Sequence, residues 1–129
     1  MTHSFPIRVY YEDTDMAGIV YHANYLKFIE RARSDWVKVQ GLDQNAMREK
    51  DGIVFVVRRI ECDYLGMAKY DDALEVRTVV KSMTGVRLIM GQEVFRGAEC
   101  VFRAEVTAVC VTTAGQPARL PAGLRKRVH

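Results

Sequence analysis

The stretch HANYLKFIERARSDWVKVQG, residues 22–41, carries the clearest structural signal in the chain. Its apolar residues recur at intervals of three and four, which is the spacing of one face of an α-helix. These residues are Tyr25, Phe28, Ile29, Ala32, Trp36 and Val39. Gly41 follows them, and a glycine commonly ends a helix. The pattern predicts a helix of four to five turns that begins at about residue 22.

Strands are predicted on both sides of this helix. Before it, residues 5–11 alternate, with Phe5, Ile7, Val9 and Tyr11 on one face. After it, a short helical piece at 43–50 leads to a turn at Asp51-Gly52. Four further strands are then predicted at residues 53–64, 73–82, 86–95 and 100–112. Because their connections are short, we expect these strands to pair antiparallel.

One helix and five strands predict an α+β fold in which a curved antiparallel sheet wraps around one long central helix. The run Ile53–Val57 is continuously apolar, which is typical of a strand that is covered on both faces. A single helix covers only one face, so we expect a homodimer in which the sheets or their edges meet. The chain has no internal repeat or linker, and its 129 residues suit one domain over 1–129.

Composition excludes several classes of protein. The chain is 49% hydrophobic and 27% charged, which is ordinary for a globular protein and argues against disorder. No apolar run approaches the ~18 residues of a membrane span, and the N-terminus does not read as a signal peptide, so we expect a cytoplasmic protein. A net charge of +3 is too weak to indicate nucleic-acid binding, but it suits an anionic small molecule.

Neither a metal nor a cofactor is expected from the sequence. Cys62, Cys100 and Cys110 fit no metal-binding spacing and are predicted to be reduced thiols in or near the core. His3, His22 and His129 are too scattered to hold a metal ion together.

The stretch YYEDTDMAGIVYHANY, residues 10–25, brings carboxylates, a glycine and a histidine between the first strand and the helix. A helix N-terminus offers unpaired N–H groups and partial positive charge, which can stabilise an oxyanion. Asp15 precedes His22 by seven residues, so the loop can turn its carboxylate back toward those N–H groups. A carboxylate facing an oxyanion hole can serve acyl transfer, either as nucleophile or as base for a water.

The residues alone leave a structural interpretation open. Acidic residues before a helix are most often solvated or capping, and Glu12 and Asp13 are weaker catalytic candidates than Asp15. A single histidine is more often a cap than a catalyst, so the N–H of His22 is of more interest than its ring.

Residues 7–36 resemble the signature of hotdog-fold acyl-CoA thioesterases of the 4-hydroxybenzoyl-CoA thioesterase type. The shared pattern is Asp-x-x-Gly-x-Val-x-x-x-x-Tyr, from Asp15 to Tyr25, followed by Phe28, Glu30 and Ala32-Arg33. Within that family the sequence is similar to the bacterial branch encoded with the Tol–Pal envelope system. The resemblance continues more loosely through residues 63–72 and the later strands, and thus over nearly the whole chain.

The resemblance implies a hotdog fold and hydrolysis of short-chain or aromatic acyl-CoA to free acid and CoA. It implies that Asp15 is the catalytic carboxylate, that Gly18 forms a tight turn beneath the thioester, and that the His22 N–H polarises the carbonyl. Tyr21 and the His22 ring would border the acyl pocket. Met16 departs from the small residue or proline that relatives often have, which would reshape the acyl end of that pocket.

Acyl-CoA is strongly anionic, so cationic residues are expected to flank its groove. The candidates are Arg58-Arg59, Arg87 and Arg125-Lys126-Arg127, each with solvated surface charge as the alternative. Two points stay open from the sequence: whether dimers pair into a homotetramer, and whether the thioester is carried by CoA or by an acyl-carrier protein.

Two other functions compete with the thioesterase. One is a non-catalytic acyl- or protein-binding hotdog scaffold at an envelope or acyl-carrier complex, against which the intact set Asp15, Gly18 and His22 argues. The other is a hydratase or dehydratase of the same fold, which would need an acid/base pair at carbon and would have to use His22.

Overall fold

A computed structural model, which describes residues 2–124, has the predicted order of one strand, a helix and four further strands, and it adds a short sixth strand after them. The first strand is β1 (His3–Arg8) and the main helix is α1 (Asn24–Val39), with 16 residues. A short helical segment follows, α2 (Gln44–Ala46), which continues as a π-helical turn over Met47–Asp51. The remaining strands are β2 (Ile53–Tyr64), β3 (Ala73–Met83), β4 (Arg87–Arg96), β5 (Glu99–Thr112) and β6 (Pro117–Ala118).

All of these strands form one antiparallel sheet. The strand order is β1-β3-β4-β5-β2, and the short β6 pairs with β5. The predicted α+β class and the antiparallel pairing are therefore confirmed. Strand β2, with 12 residues, lies at an edge of the sheet.

Helix α1 covers one face of the sheet with its apolar side. The buried apolar side chains of the helix are Tyr25, Phe28, Ile29, Ala32, Trp36 and Val37. Val39 was predicted on this face, but it is the last helical residue and is exposed. Val37 is buried instead, where it packs in one cluster with Trp36 and Met47.

A polar bridge fixes the helix to the middle of the sheet. Gln92 of β4 is fully buried and donates to the Ile29 carbonyl and to Thr78 Oγ1, both at 3.0 Å. Its Oε1 accepts from the Arg33 guanidinium at 3.0 Å. Burial lowers the pKa of Arg33, and the nearby Glu30 opposes that shift. These bonds set the position of α1 on the strands.

Strand β1 ends three residues earlier than the alternation predicts. Tyr11–Asp13 form one turn of 3₁₀ helix, because the Asp13 carboxylate accepts the Tyr10 N–H at 2.8 Å and turns the chain. Tyr11 is therefore 83% exposed, while Ile7 and Val9 are buried as predicted.

The prediction that the run Ile53–Val57 is covered on both faces is wrong for the single chain. Val56 is 37% exposed and Val57 is 45% exposed. The reason is topological, since β2 has a neighbour on one side only. A β-bulge between Val57 and Arg59 further leaves Arg58 without a register partner.

Candidate active site

The loop between β1 and α1 folds back on itself as a small hairpin. Thr14 pairs with Val20, and the Asp15 N–H donates to the Ile19 carbonyl at 2.9 Å. The Gly18 N–H donates back to the Asp15 carbonyl at 2.9 Å, which closes the turn. Gly18 has a φ of 78°, a left-handed conformation that glycine adopts without steric cost. The tight turn expected at Gly18 is therefore present.

This hairpin is tied to the chain segment that follows β2. The Val20 N–H donates to the Ala68 carbonyl at 2.9 Å, and Ile19 pairs with Lys69. The Tyr25 hydroxyl in turn accepts the Ala68 N–H at 3.2 Å. The hairpin is thus held between the start of α1 and the connection from β2 to β3.

Asp13 is a buried carboxylate at the base of the hairpin. It is 6% exposed, and its Oδ2 accepts the Tyr10 N–H at 2.8 Å while its Oδ1 accepts from Asn24 Nδ2 at 2.9 Å. Its carbonyl accepts the Tyr21 N–H at 2.8 Å. Because Asn24 is the first residue of α1, Asp13 joins the hairpin to the helix. The sequence offers no signal that separates this role from that of the other acidic residues in the loop.

Asp15 lies near the tip of the same hairpin and is exposed. Its Oδ1 accepts the Ala17 N–H at 2.9 Å. The sequence predicted instead that this carboxylate turns back onto the N–H groups at the helix start. Among residues 2–124, no cation forms an ion pair with Asp15. The carboxylate therefore has bonding capacity left for a ligand or a water.

The start of α1 presents main-chain donors next to the hairpin. The Asn24 N–H donates to the Tyr21 carbonyl at 2.8 Å, which leaves His22 and Ala23 inside a tight turn. Within the described part of the chain, neither the His22 N–H nor the Ala23 N–H donates a hydrogen bond. Unpaired N–H groups at a helix start carry partial positive charge. They can donate hydrogen bonds to the oxygen of a carbonyl group.

Aromatic rings surround these donors. The centroids of Tyr21 and His22 are 4.6 Å apart, and His22 meets Tyr64 edge-on at 6.1 Å. The Tyr64 hydroxyl donates to the His22 carbonyl at 3.0 Å. Sequence reasoning placed Tyr21 and the His22 ring at this site but assigned no role to Tyr64. This contact joins residues 42 positions apart in the sequence, and no local sequence pattern predicts it.

The predicted CoA-binding arginines do not join the hairpin in the single chain. Arg59 lies opposite Thr107 of β5, Arg87 lies opposite Val109, and Tyr64 at the site lies opposite Phe102. A separation of five to seven residues along β5 corresponds to about 17–23 Å. Arg58, Arg59 and Arg87 are all exposed, and Arg59 forms an ion pair with Glu61. The run Arg125-Lys126-Arg127 lies outside the described residues.

No cluster of three His, Cys, Asp or Glu side chains suited to a metal occurs in residues 2–124. His3 lies instead against Asp35, at 2.7 Å. The three cysteines are free thiols, and burial raises the pKa of Cys110 to about 11. Over the same residues, no helix has the length and apolar character needed to cross a membrane.

Comparison with known proteins assigns the chain to a family. A model of the thioesterase-like superfamily matches residues 9–128. The chain is 38% identical to the acyl-CoA thioesterase YbgC of Haemophilus influenzae over 127 residues, which cover 98% of this chain and 93% of that protein. It is 41% identical to the acyl-CoA thioester hydrolase YbgC of Escherichia coli over 108 residues, which cover 83% and 80% of the two chains.

A solved structure agrees with these relatives. The crystal structure of a probable thioesterase from Bartonella henselae superimposes with a TM-score of 0.90 at 35% sequence identity. The match covers 94% of this chain and 100% of that chain.

Proposed function

The chain belongs to the thioesterase-like superfamily, and on that premise we propose that it is an acyl-CoA thioesterase acting on short-chain or aromatic acyl groups. Its similarity to these relatives indicates a thioester hydrolase with a hotdog fold. The products would be a free acid and CoA. We further propose that it belongs to the 4-hydroxybenzoyl-CoA thioesterase type and to the branch encoded with the Tol–Pal system.

One observation carries this proposal. A single hairpin has an under-bonded carboxylate, Asp15, near its tip, and its second strand leads directly into two free N–H groups at His22 and Ala23. A carboxylate and a pair of main-chain donors are the two parts that acyl transfer to water requires. A non-catalytic scaffold has no need for either part.

The proposed reaction proceeds in one of two ways. In both, the thioester carbonyl oxygen accepts hydrogen bonds from the N–H groups of His22 and Ala23, which stabilise the developing oxyanion. In the first, Asp15 attacks the carbonyl carbon, the CoA thiolate leaves, and water opens the resulting mixed anhydride to acid and free carboxylate. In the second, Asp15 takes a proton from a water that attacks the same carbon, and the thiolate leaves with that proton.

A second copy of the chain would complete this site. Strand β2 has an unpaired edge, and its side chains Val56 and Val57 are partly exposed, which is unusual for a long edge strand that stays alone. We propose a homodimer formed along this edge, and pairing of dimers into a homotetramer. The partner would exclude water from Asp15, and its Arg58, Arg59 and Arg87 would reach the CoA phosphates across the interface.

Tyr21 and the His22 ring are proposed to border the acyl group, and Gly18 to lie beneath the thioester. No cofactor enters this mechanism, because CoA is part of the substrate. The cytoplasmic location and the single domain over 1–129 stay predictions from the sequence.

The decisive experiment measures thiol release from a panel of acyl-CoA thioesters of increasing chain length, with benzoyl-CoA included. We expect turnover by the wild type and a loss of about 10²–10⁴-fold in kcat for Asp15→Asn, the range typical of a general base or nucleophile. Asp51→Asn is the matched control, since Asp51 is an exposed aspartate in a helical turn after α2. It should keep full activity.

Three outcomes would contradict the proposal. Full turnover by Asp15→Asn would remove the carboxylate from the mechanism. No turnover with any thioester, together with retention of a protein partner, would favour the scaffold. Interconversion of enoyl-CoA and 3-hydroxyacyl-CoA without hydrolysis would favour a hydratase.

A further inference from the structure

Tyr64 is the last residue of β2 and the one side chain from that strand that bonds to the start of α1. Its ring meets Phe102 at 5.2 Å, Tyr25 at 5.9 Å and His22 at 6.1 Å, in each case edge to face. Tyr25 and Phe102 belong to the buried core. The position of the Tyr64 ring is therefore fixed by packing, although the residue is 47% exposed.

The hydroxyl of this ring controls one specific peptide unit. In a planar trans peptide the C=O and the N–H point in opposite directions. The His22 carbonyl accepts from Tyr64 at 3.0 Å, and the N–H of the same unit belongs to Ala23. The preceding unit is held in a different way, because the Tyr21 carbonyl accepts the Asn24 N–H at 2.8 Å and so orients the His22 N–H. The main chain thus orients the free His22 N–H, and Tyr64 orients the free Ala23 N–H.

We propose that Tyr64 is a positioning residue for thioester hydrolysis, whose hydroxyl holds the His22–Ala23 peptide so that the Ala23 N–H and the His22 N–H bind the same carbonyl oxygen. This inference rests on the proposed function. A hydrogen bond accepted by the carbonyl also polarises the peptide unit, which strengthens its N–H as a donor. Tyr64 acts here through the main chain and does not touch the reacting atoms.

The hydroxyl keeps its proton under ordinary conditions. Burial raises the pKa of Tyr64, and the Cys62 thiol beside it adds to that shift. The phenol therefore donates to the His22 carbonyl throughout the neutral range.

The test removes only the hydroxyl. Tyr64→Phe keeps the ring and its edge-to-face contacts but releases the His22–Ala23 peptide. We expect kcat on benzoyl-CoA to fall about 5- to 10-fold, the size of one lost hydrogen bond, with KM nearly unchanged and a melting temperature lower by only a few degrees. Tyr70→Phe is the matched control, because Tyr70 is exposed and its hydroxyl donates no hydrogen bond within residues 2–124. It should behave as the wild type.

A spectroscopic measurement separates positioning from a merely structural role. Benzoyl-CoA labelled with ¹³C at the thioester carbonyl is bound to Asp15→Asn, and its infrared carbonyl stretch is compared with that in Asp15→Asn/Tyr64→Phe. We expect the stretch to lie at higher frequency in the double variant, since one N–H donor is misdirected.

The outcomes distinguish the two proposals. An unchanged kcat and an unchanged stretch in the presence of wild-type turnover would overturn the role of Tyr64 and leave the thioesterase intact. A fall in kcat with an unchanged carbonyl stretch would also overturn it, as a structural effect. A wild type without any turnover would overturn both.

Discussion

The base and the tip of the hairpin before α1 carry the same chemical group in opposite surroundings. At the base, the Asp13 carboxylate is buried, and each of its oxygens accepts a hydrogen bond, one from Tyr10 and one from Asn24. At the tip, the Asp15 carboxylate is exposed and accepts from Ala17 within its own turn. The two residues are separated by one threonine.

The difference shows how a rigid frame can leave one carboxylate with few structural hydrogen bonds. With a hydrogen bond on each of its oxygens, the Asp13 carboxylate stabilises the geometry of the loop. Asp15 is held through its main chain, by the bonds of its N–H and C=O to Ile19 and Gly18, so its side chain can be spared. The same residue type can therefore stabilise a loop or be left available to a ligand, according to which hydrogen bonds the main chain already makes.

Removing the framework carboxylate should have the largest effect on stability. Asp13→Ala removes the acceptor of the buried Asn24 amide and of the half-buried Tyr10 N–H, and we expect the free energy of unfolding to fall by about 2–3 kcal/mol. Urea denaturation measures it. Asp15→Ala is the companion variant and should stay within about 0.5 kcal/mol of the wild type, as an exposed residue does.

An equal loss of unfolding free energy in Asp13→Ala and Asp15→Ala would contradict this comparison. It would mean that Asp15 also holds the loop together. The assignment of the structural role to Asp13 alone would then be wrong.

A substitution in the turn at the tip of the hairpin should have a smaller effect on stability. Gly18 has a φ of 78°, and no atom lies within 4 Å of an added Cβ, so the cost of Gly18→Ala is confined to the main chain. We expect a loss of about 1 kcal/mol in unfolding free energy. Gly123→Ala is the control, because that glycine also has open space but an ordinary φ. A Gly18→Ala variant as stable as the wild type would show that the turn is not fixed.

The helix start should give the smallest effect of all. Because the His22 donor is its main-chain N–H, His22→Ala keeps that donor and removes only an exposed ring. We expect kcat to change by about twofold or less, because the ring is proposed to border the acyl group and not to touch the reacting carbonyl. Steady-state kinetics with benzoyl-CoA would check this. A loss as large as that of Asp15→Asn would give the ring a chemical role.

Much of the fold could be predicted from periodicity alone. The apolar faces of α1 and of the strands follow from spacings of 3.6 and 2, which the core of this chain obeys. Periodicity does not identify which strand lies at the edge of the sheet, however. For this reason Val56 and Val57 were expected to be covered. The end of β1 was also missed, because the Asp13 carboxylate overrides the alternation that runs on to Tyr11.

The candidate site was predictable only where it is local. Asp15, Gly18, Tyr21 and His22 fall within eight residues, and the structure has them in one hairpin and the turn after it. Tyr64 reaches the site only through the pairing of β2 with β5, which residue spacing does not reveal. Arg58, Arg59 and Arg87 were predicted from charge alone, and charge does not report on distance.

The hydrogen bonds that hold Asp15 do not involve the next residue, Met16. Met16 projects its whole side chain into solvent, and neither its size nor its polarity enters the bonds to Ile19, Gly18 or Ala17. A side chain of another size or polarity at position 16 would therefore change the surface beside Asp15 while the hydrogen bonds of Asp15 stay the same. Under the proposed function, substitutions at position 16 would change substrate preference, by selection or by design, without altering the hydrogen bonds that hold Asp15.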